Sequence, residues 1–380
     1  MHNNVNDKNV IDPAELYRMG KAYLNGTDVE KNEEKAIELI TLSAEAKYHD
    51  ETRHAIDELI LQCMRQKDFQ GMAKWTGRLC DYLKATKGPG NVETLDAQAR
   101  LAFVYKKLND TKRARALITR VYNRKVELFG ELAPTTVKTL CEKCCLYNPA
   151  KGDGNYFYDI ITAAKGKLKL VKDIDDADVL KAYKNYANAL EAYYDHPPFY
   201  VYEEMREWIV KFKGEGSADD ISILTELSAI YFCLEFEDEA LATEKLLLSY
   251  EIKNNGMGTS YAGALCERIA QLYFNKKRYK TAIRYLKKIT DSLDYDAQNP
   301  MLMAEVYYNM AICYYMIKDR DEALKCVRKA CDAFSSVEGF DEEITNNVRY
   351  TLHNALDKLE SGKKSGTLQT RWLFGWAQLI

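Results

Sequence analysis

No stretch of this chain approaches the roughly 20 consecutive apolar residues that a membrane-spanning helix requires, so no spanning segment is expected. Prolines number only seven among 380 residues. Their scarcity leaves long helices uninterrupted, because an interior proline removes a hydrogen bond and clashes with the preceding turn. Charge of one sign is also missing: 54 Lys and Arg face 57 Asp and Glu, for a net −3. Without a basic excess, neither nucleic acid nor an anionic membrane is an expected partner of the chain as a whole. The five histidines, His2, His49, His54, His196 and His353, form no zinc-protease or nucleophile motif, and no Gly-rich phosphate loop is present. The N-terminal residues are polar, without the apolar core of a signal peptide. Ten cysteines lack the regular pairing of a disulfide scaffold, which points to reduced thiols in a cytoplasmic protein. No cofactor, no metal and no enzymatic activity is expected.

What the chain does have is a phrase that returns every 41 to 43 residues. An apolar residue is followed by a small or apolar one and, a helical turn later, by Tyr or another apolar residue. The phrase begins at Met19, Ile60, Leu101, Cys144, Tyr186, Leu227, Ile269, Met310 and Leu352, with blurred copies at Cys144 and Tyr186. Thirteen residues after five of these anchors comes an alanine: Ala73, Ala114, Ala240, Ala282 and Ala323. A small residue there lets two helices approach closely. The third unit predicts helix A from Glu93 to Lys107, a turn at Asn109 and Asp110, helix B from Lys112 to Phe129, and Gly130 as its stop. Such a period marks a solenoid whose repeats bury their cores only by stacking on neighbours.

Leu101, Ala102 and Tyr105 followed by Ala114, with Asn309, Met310, Ala311, Tyr314 and Ala323 in a later copy, resemble the tetratricopeptide (TPR) repeat, in the longer form of kinesin light chains. Met19, Gly20, Tyr23, Gly26 and Ala36 resemble the Sel-like variant. The resemblance implies an all-α, right-handed superhelical solenoid of about eight helical hairpins plus a C-terminal capping helix. The expected layout is a flexible stretch at 1–11, a Sel-like repeat at 12–50, TPR-like repeats at 51–340, a capping helix at 341–360, and a polar spacer with an aromatic tail at 361–380. It further implies a non-enzymatic scaffold or adaptor that binds a protein or peptide along a concave groove. The alternative is a peptide-responsive regulator that changes superhelical shape and acts through protein partners.

In such arrays helix A lines the groove, with the residues two before and two after the first anchor pointing inward. By that resemblance the fifth unit offers Lys184 and Asn188, with Lys181 and Asn185 beside them. Later units offer Arg268 and Gln271, then Tyr308 and Asn309, then Asn347 and Tyr350. An ammonium and an amide donor suit carboxylate oxygens, but Glu226 of the next unit opposes an anionic peptide terminus. A polar groove floor without a dedicated carboxylate site is therefore expected.

Three other features have plain structural readings. Cys141, Cys144 and Cys145 lie within about one turn, yet no second ligand pair stands nearby, so they read as small buried hydrophobes rather than zinc ligands. The basic run Lys112, Arg113, Arg115, Arg120, Arg124 and Lys125 reads as the solvated face of a helix B. His353 falls in a small-residue slot and reads as packed. The tail holds Trp372, Leu373, Phe374, Trp376, Leu379 and Ile380. Docking on the last repeat, contact with a partner or membrane surface (with Lys363, Lys364 and Arg371 assisting), and truncation are the three readings open for it.

Overall fold

The computed structural model describes residues 12–46, 49–147, 153–194, 196–292, 300–335 and 342–360, the side chains of 342–345 and 347 aside. The aromatic tail therefore lies outside the described residues. Among them are seventeen α-helices and no strands, as the repeat pattern requires. The chain divides into two compact units, Met1–Trp208 and Ile209–Ile380.

In the first unit the helices are α1 (Pro13–Asn25), α2 (Glu33–Glu45), α3 (Asp50–Gln66), α4 (Phe69–Lys87), α5 (Val92–Lys107), α6 (Thr111–Phe129), α7 (Pro134–Cys144), α8 (Gly154–Val171) and α9 (Ala177–Tyr194). Each packs on the next, and α9 also packs directly on α7. Helix α10 (Phe199–Lys213) carries the chain across the unit boundary. The second unit continues with α11 (Ala218–Cys233), α12 (Glu237–Asn255), α13 (Ser260–Asn275), α14 (Tyr279–Thr290), α15 (Pro300–Met316), α16 (Arg320–Ser335) and α17 (Glu342–Glu360). From α11 to α17 each helix again packs on its successor.

The periodicity has a backbone counterpart. Lys67, Asn109, Glu235, Lys277 and Lys318 all adopt the left-handed conformation, with φ between 56° and 65°. Each ends a helix A, and the amide that follows it bonds back to a carbonyl five residues earlier. The pairs are Asp68 to Cys63, Asp110 to Tyr105, Phe236 to Tyr231, Arg278 to Tyr273 and Asp319 to Tyr314, all at 2.8–2.9 Å. This Schellman-type closure satisfies carbonyls that the helix end would leave bare. In three of these turns the next residue, Asp68, Asp110 or Asp319, accepts from the amide three positions on and so starts helix B.

The recurrent alanines serve as the spacing suggests. Ala114, Ala240, Ala282 and Ala323 are wholly buried, and Ala73 is half-buried. Core clusters draw their residues from successive helices. Ile56, Leu59, Trp75, Leu79 and Leu83 form one cluster, and Leu95, Ala102, Ile118, Val121 and Leu146 form the next. Each fully buried Leu or Ile contributes about 1.5–3 kcal/mol.

Four side chains depart from the sequence reading. Lys125, assigned to a solvated face, is fully buried. Tyr308 and Asn309, assigned to an open groove, are 1% and 0% exposed. The cause is α15, where twelve of seventeen residues are buried, so that little of the helix is left facing solvent. His353, expected to be packed, is exposed. The cysteine reading fares differently: Cys141 and Cys144 are wholly buried, and all ten cysteines are free thiols.

Candidate functional site

Among the described residues of the fourth hairpin, no left-handed closure follows helix A. Helix α7 has only 11 residues, against 16 in α5 and 18 in α9. At about 1.5 Å per residue, α7 stops about 10 Å short of the length of α9. Cys145, at its end, keeps right-handed φ and ψ. The missing turns open a notch of about 700 Å³ between the C-terminal parts of α5 and α9. Cavities of that size accommodate small ligands or peptide side chains.

Neighbouring side chains close the exposed end of α7. Lys106 of α5 donates to the Cys145 carbonyl at 2.6 Å, and Arg115 of α6 donates to the Leu146 carbonyl at 3.2 Å. Cations at a helix C-terminus are favoured by the dipole and by the bare carbonyls. Arg115 also grips the carboxylate of Asp153 with two donors, one at 3.0 Å. Its guanidinium lies 4.4 Å from the centre of the Tyr147 ring, which stacks on Tyr156 at 5.5 Å. Burial pushes the Tyr147 hydroxyl up, and Arg115 opposes that shift. Cys145 lines the notch and donates to the Asn185 carbonyl at 3.2 Å. Burial pushes its thiol up to about 12, so it is not a thiolate nucleophile at neutral pH.

Opposite stands α9. Asn185 and Asn188 line the notch. Lys181, Lys184 and Asn188 are exposed, and Asn185 is half-buried. Lys181 pairs with Asp178 at 3.0 Å. Deeper in the same unit, opposite charges alternate across four helices, α6, α5, α7 and α9. Lys125 reaches Asp96 at 2.6 Å, and Lys138 bridges Asp96 at 2.7 Å and Asp178 at 3.2 Å. Thr135 and Thr139 also accept hydrogen bonds from the Lys125 ammonium. Burial lowers the Lys125 ammonium despite Asp96. For Lys138 burial acts the same way, but Asp96 and Asp178 outweigh it and its pKa rises. Burial raises the nearby Glu142 carboxyl.

In the second unit the predicted residues meet acidic partners instead. Arg268 donates to Glu244 at 3.0 Å, and Ser228 donates to the same oxygen. Glu244, Glu267 and Glu305 are 1%, 6% and 1% exposed. Burial, aided by Glu305, pushes the Glu267 carboxyl up to about 8; Arg268 and a hydrogen bond from Asn309 pull the other way. Asn309 thus binds a buried carboxyl rather than a ligand. Gln271 lines a separate cavity of about 360 Å³. Tyr350 is 71% exposed, and the side chain of Asn347 lies outside the described residues.

The sequence reading named Asn185 and Asn188 but missed Lys106, Lys107 and Asn109 across the notch. The signal was the blurred copy of the repeat phrase at Cys144, which marks the fourth unit as irregular.

Residues 305–336 match the family model of the tetratricopeptide repeat. They cover most of the α15–α16 hairpin, so this hairpin matches one repeat of that family. No curated protein matches the chain significantly. Among solved structures, BtubC (BKLC) from P. vanneervenii is 16% identical with a TM-score of 0.35, over 76% of this chain and 94% of that one. A Podosopora anserina putative kinesin light chain with nearly identical TPR-like repeats is 13% identical with a TM-score of 0.33, over 64% and 96%. The Signal Transduction ATPase with Numerous Domains (STAND) protein with a tetratricopeptide repeat sensor, from Pyrococcus horikoshii, is 13% identical with a TM-score of 0.38, over 98% of this chain and 53% of that one. No helix among the described residues is long and apolar enough to cross a membrane.

Proposed function

We propose that the protein is a non-enzymatic cytoplasmic scaffold that holds a peptide segment of a partner protein against α9 and the notch beside it. The observation that carries this reading is the break in the row of A helices. It leaves a cavity of about 700 Å³ bordered by Asn185 and Asn188, next to the exposed Lys181 and Lys184. Asn amides both donate and accept, so they pair with an extended backbone without selecting one side chain. The Tyr147 and Tyr156 rings add flat contact area at low entropic cost.

The test is affinity capture of partners, identified by mass spectrometry, with the intact protein and with Lys184→Glu plus Asn188→Ala. Both positions are exposed, so the variant folds, which circular dichroism checks. The expected result is loss of specific partners from the variant. An unchanged partner set sinks the assignment of this face.

A further inference from the structure

Resting on the scaffold reading, we propose that the notch receives a phosphorylated side chain of the bound protein segment. The argument starts from charge. Among the described residues, three cations line the notch, Lys106, Lys107 and Arg115, against one carboxylate, Asp153. Arg115 and Asp153 neutralise each other through their paired contact, which leaves both lysines without a further carboxylate among the described lining residues, in a protein whose net charge is −3. A phosphomonoester carries about −1.5 to −2 at neutral pH and three strong acceptor oxygens, matching that surplus. A carboxylate, with one charge and two oxygens, would leave one ammonium unmatched.

The hydrogen-bonding inventory points the same way. Lys106 spends one N–H on the Cys145 carbonyl, which fixes its ammonium at the rim with two more to give. Lys107 is exposed and has no hydrogen-bond or ion-pair partner among the described residues. Asn109 is held in its left-handed turn, and Asn188 faces it across the notch. The carboxylate and the carbonyls at the α7 end are already taken by Arg115 and Lys106. The free groups are mainly donors, and their complement is an acceptor-only anion. The cavity exceeds what a phosphate fills, and Phe103 and Leu146 on its wall leave room for the side chain that carries it.

The experiment uses the full chain and three immobilised pools of short peptides, degenerate around a central phosphoserine, serine or aspartate. The expected result is retention on the phosphoserine pool at least about tenfold above the other two, falling to the serine level in Lys107→Glu. Equal retention on phosphoserine and serine overturns the proposal, as does retention indifferent to Lys107→Glu. Equal retention on aspartate makes the notch a carboxylate site and also overturns it. Complete displacement by an equal concentration of inorganic phosphate assigns the notch to the free anion, a fourth contrary result. Partner capture depends on Lys184 and Asn188 of α9, whereas this measurement turns on Lys107 of α5. Failure of phosphate discrimination with capture intact removes the phosphate assignment alone; lost capture specificity with phosphate discrimination intact removes only the α9 face.

Discussion

Glu267→Gln is expected to stabilise the protein, and to do so increasingly as pH rises. In the folded state this carboxyl is 6% exposed, one of its oxygens has no hydrogen-bond partner, and Glu305 lies close enough to repel its charge. Its pKa stands at about 8 instead of the ordinary 4.5. Between those values the folded protein keeps a proton that the unfolded chain has released. Stability therefore falls as pH rises through this window, by up to about 1.4 kcal/mol per unit for this group. Gln mimics the protonated acid and has no charge to bury. The variant should match the wild type near about pH 5 and exceed it by roughly 3–5 kcal/mol above about pH 8.5, which is on the order of 10 °C in Tm. Thermal melts of both proteins across that range, followed by circular dichroism, give the difference directly. Parallel curves would refute the reasoning, because they would mean that Glu267 is already ionised in the fold at neutral pH.

Two further substitutions probe the repeat scaffold. Lys125→Met removes the fully buried ammonium that binds Asp96, Thr135 and Thr139; because Lys138 still holds Asp96, the expected loss is about 2–3 kcal/mol, and an unmoved urea midpoint would contradict it. Lys277→Gly relieves a left-handed residue at φ 57° whose side chain is exposed; a gain of about 0.5–1 kcal/mol in denaturant unfolding is expected, and a loss would show that the turn is not strained.

The hairpins were legible in the sequence because their determinants are local. The Leu101 anchor, Ala114 and the Asn109–Asp110 turn led to helices that differ by a residue from α5 and α6. Burial of charge was not legible, because it depends on which neighbour supplies the counterion. Lys125 belongs to a basic run on its own helix, and only Asp96, on another helix, makes its burial tolerable. Asn309 was placed in a groove by position within its repeat, whereas the carboxyl of Glu267 on the adjacent hairpin takes its amide. The shortened α7 was half legible. The blurred phrase at Cys144 marked the unit as irregular, but which side chains would border the resulting gap depended on how α5 and α9 flank it.

Arrays of similar repeats face a hazard during folding that a single globular core does not: one repeat can stack on the wrong neighbour. The alternation of Lys125, Asp96, Lys138 and Asp178, with both lysines buried, bears on that hazard. A hydrophobic interface accepts nearly any apolar partner of suitable size, but a buried lysine does not. Were α7 stacked between helices other than α5 and α9, Lys138 would be sealed away from both of its carboxylates, at a cost of several kcal/mol. The charge sequence acts as an address, legible only to the correct neighbours, so that these three repeats assemble in one order.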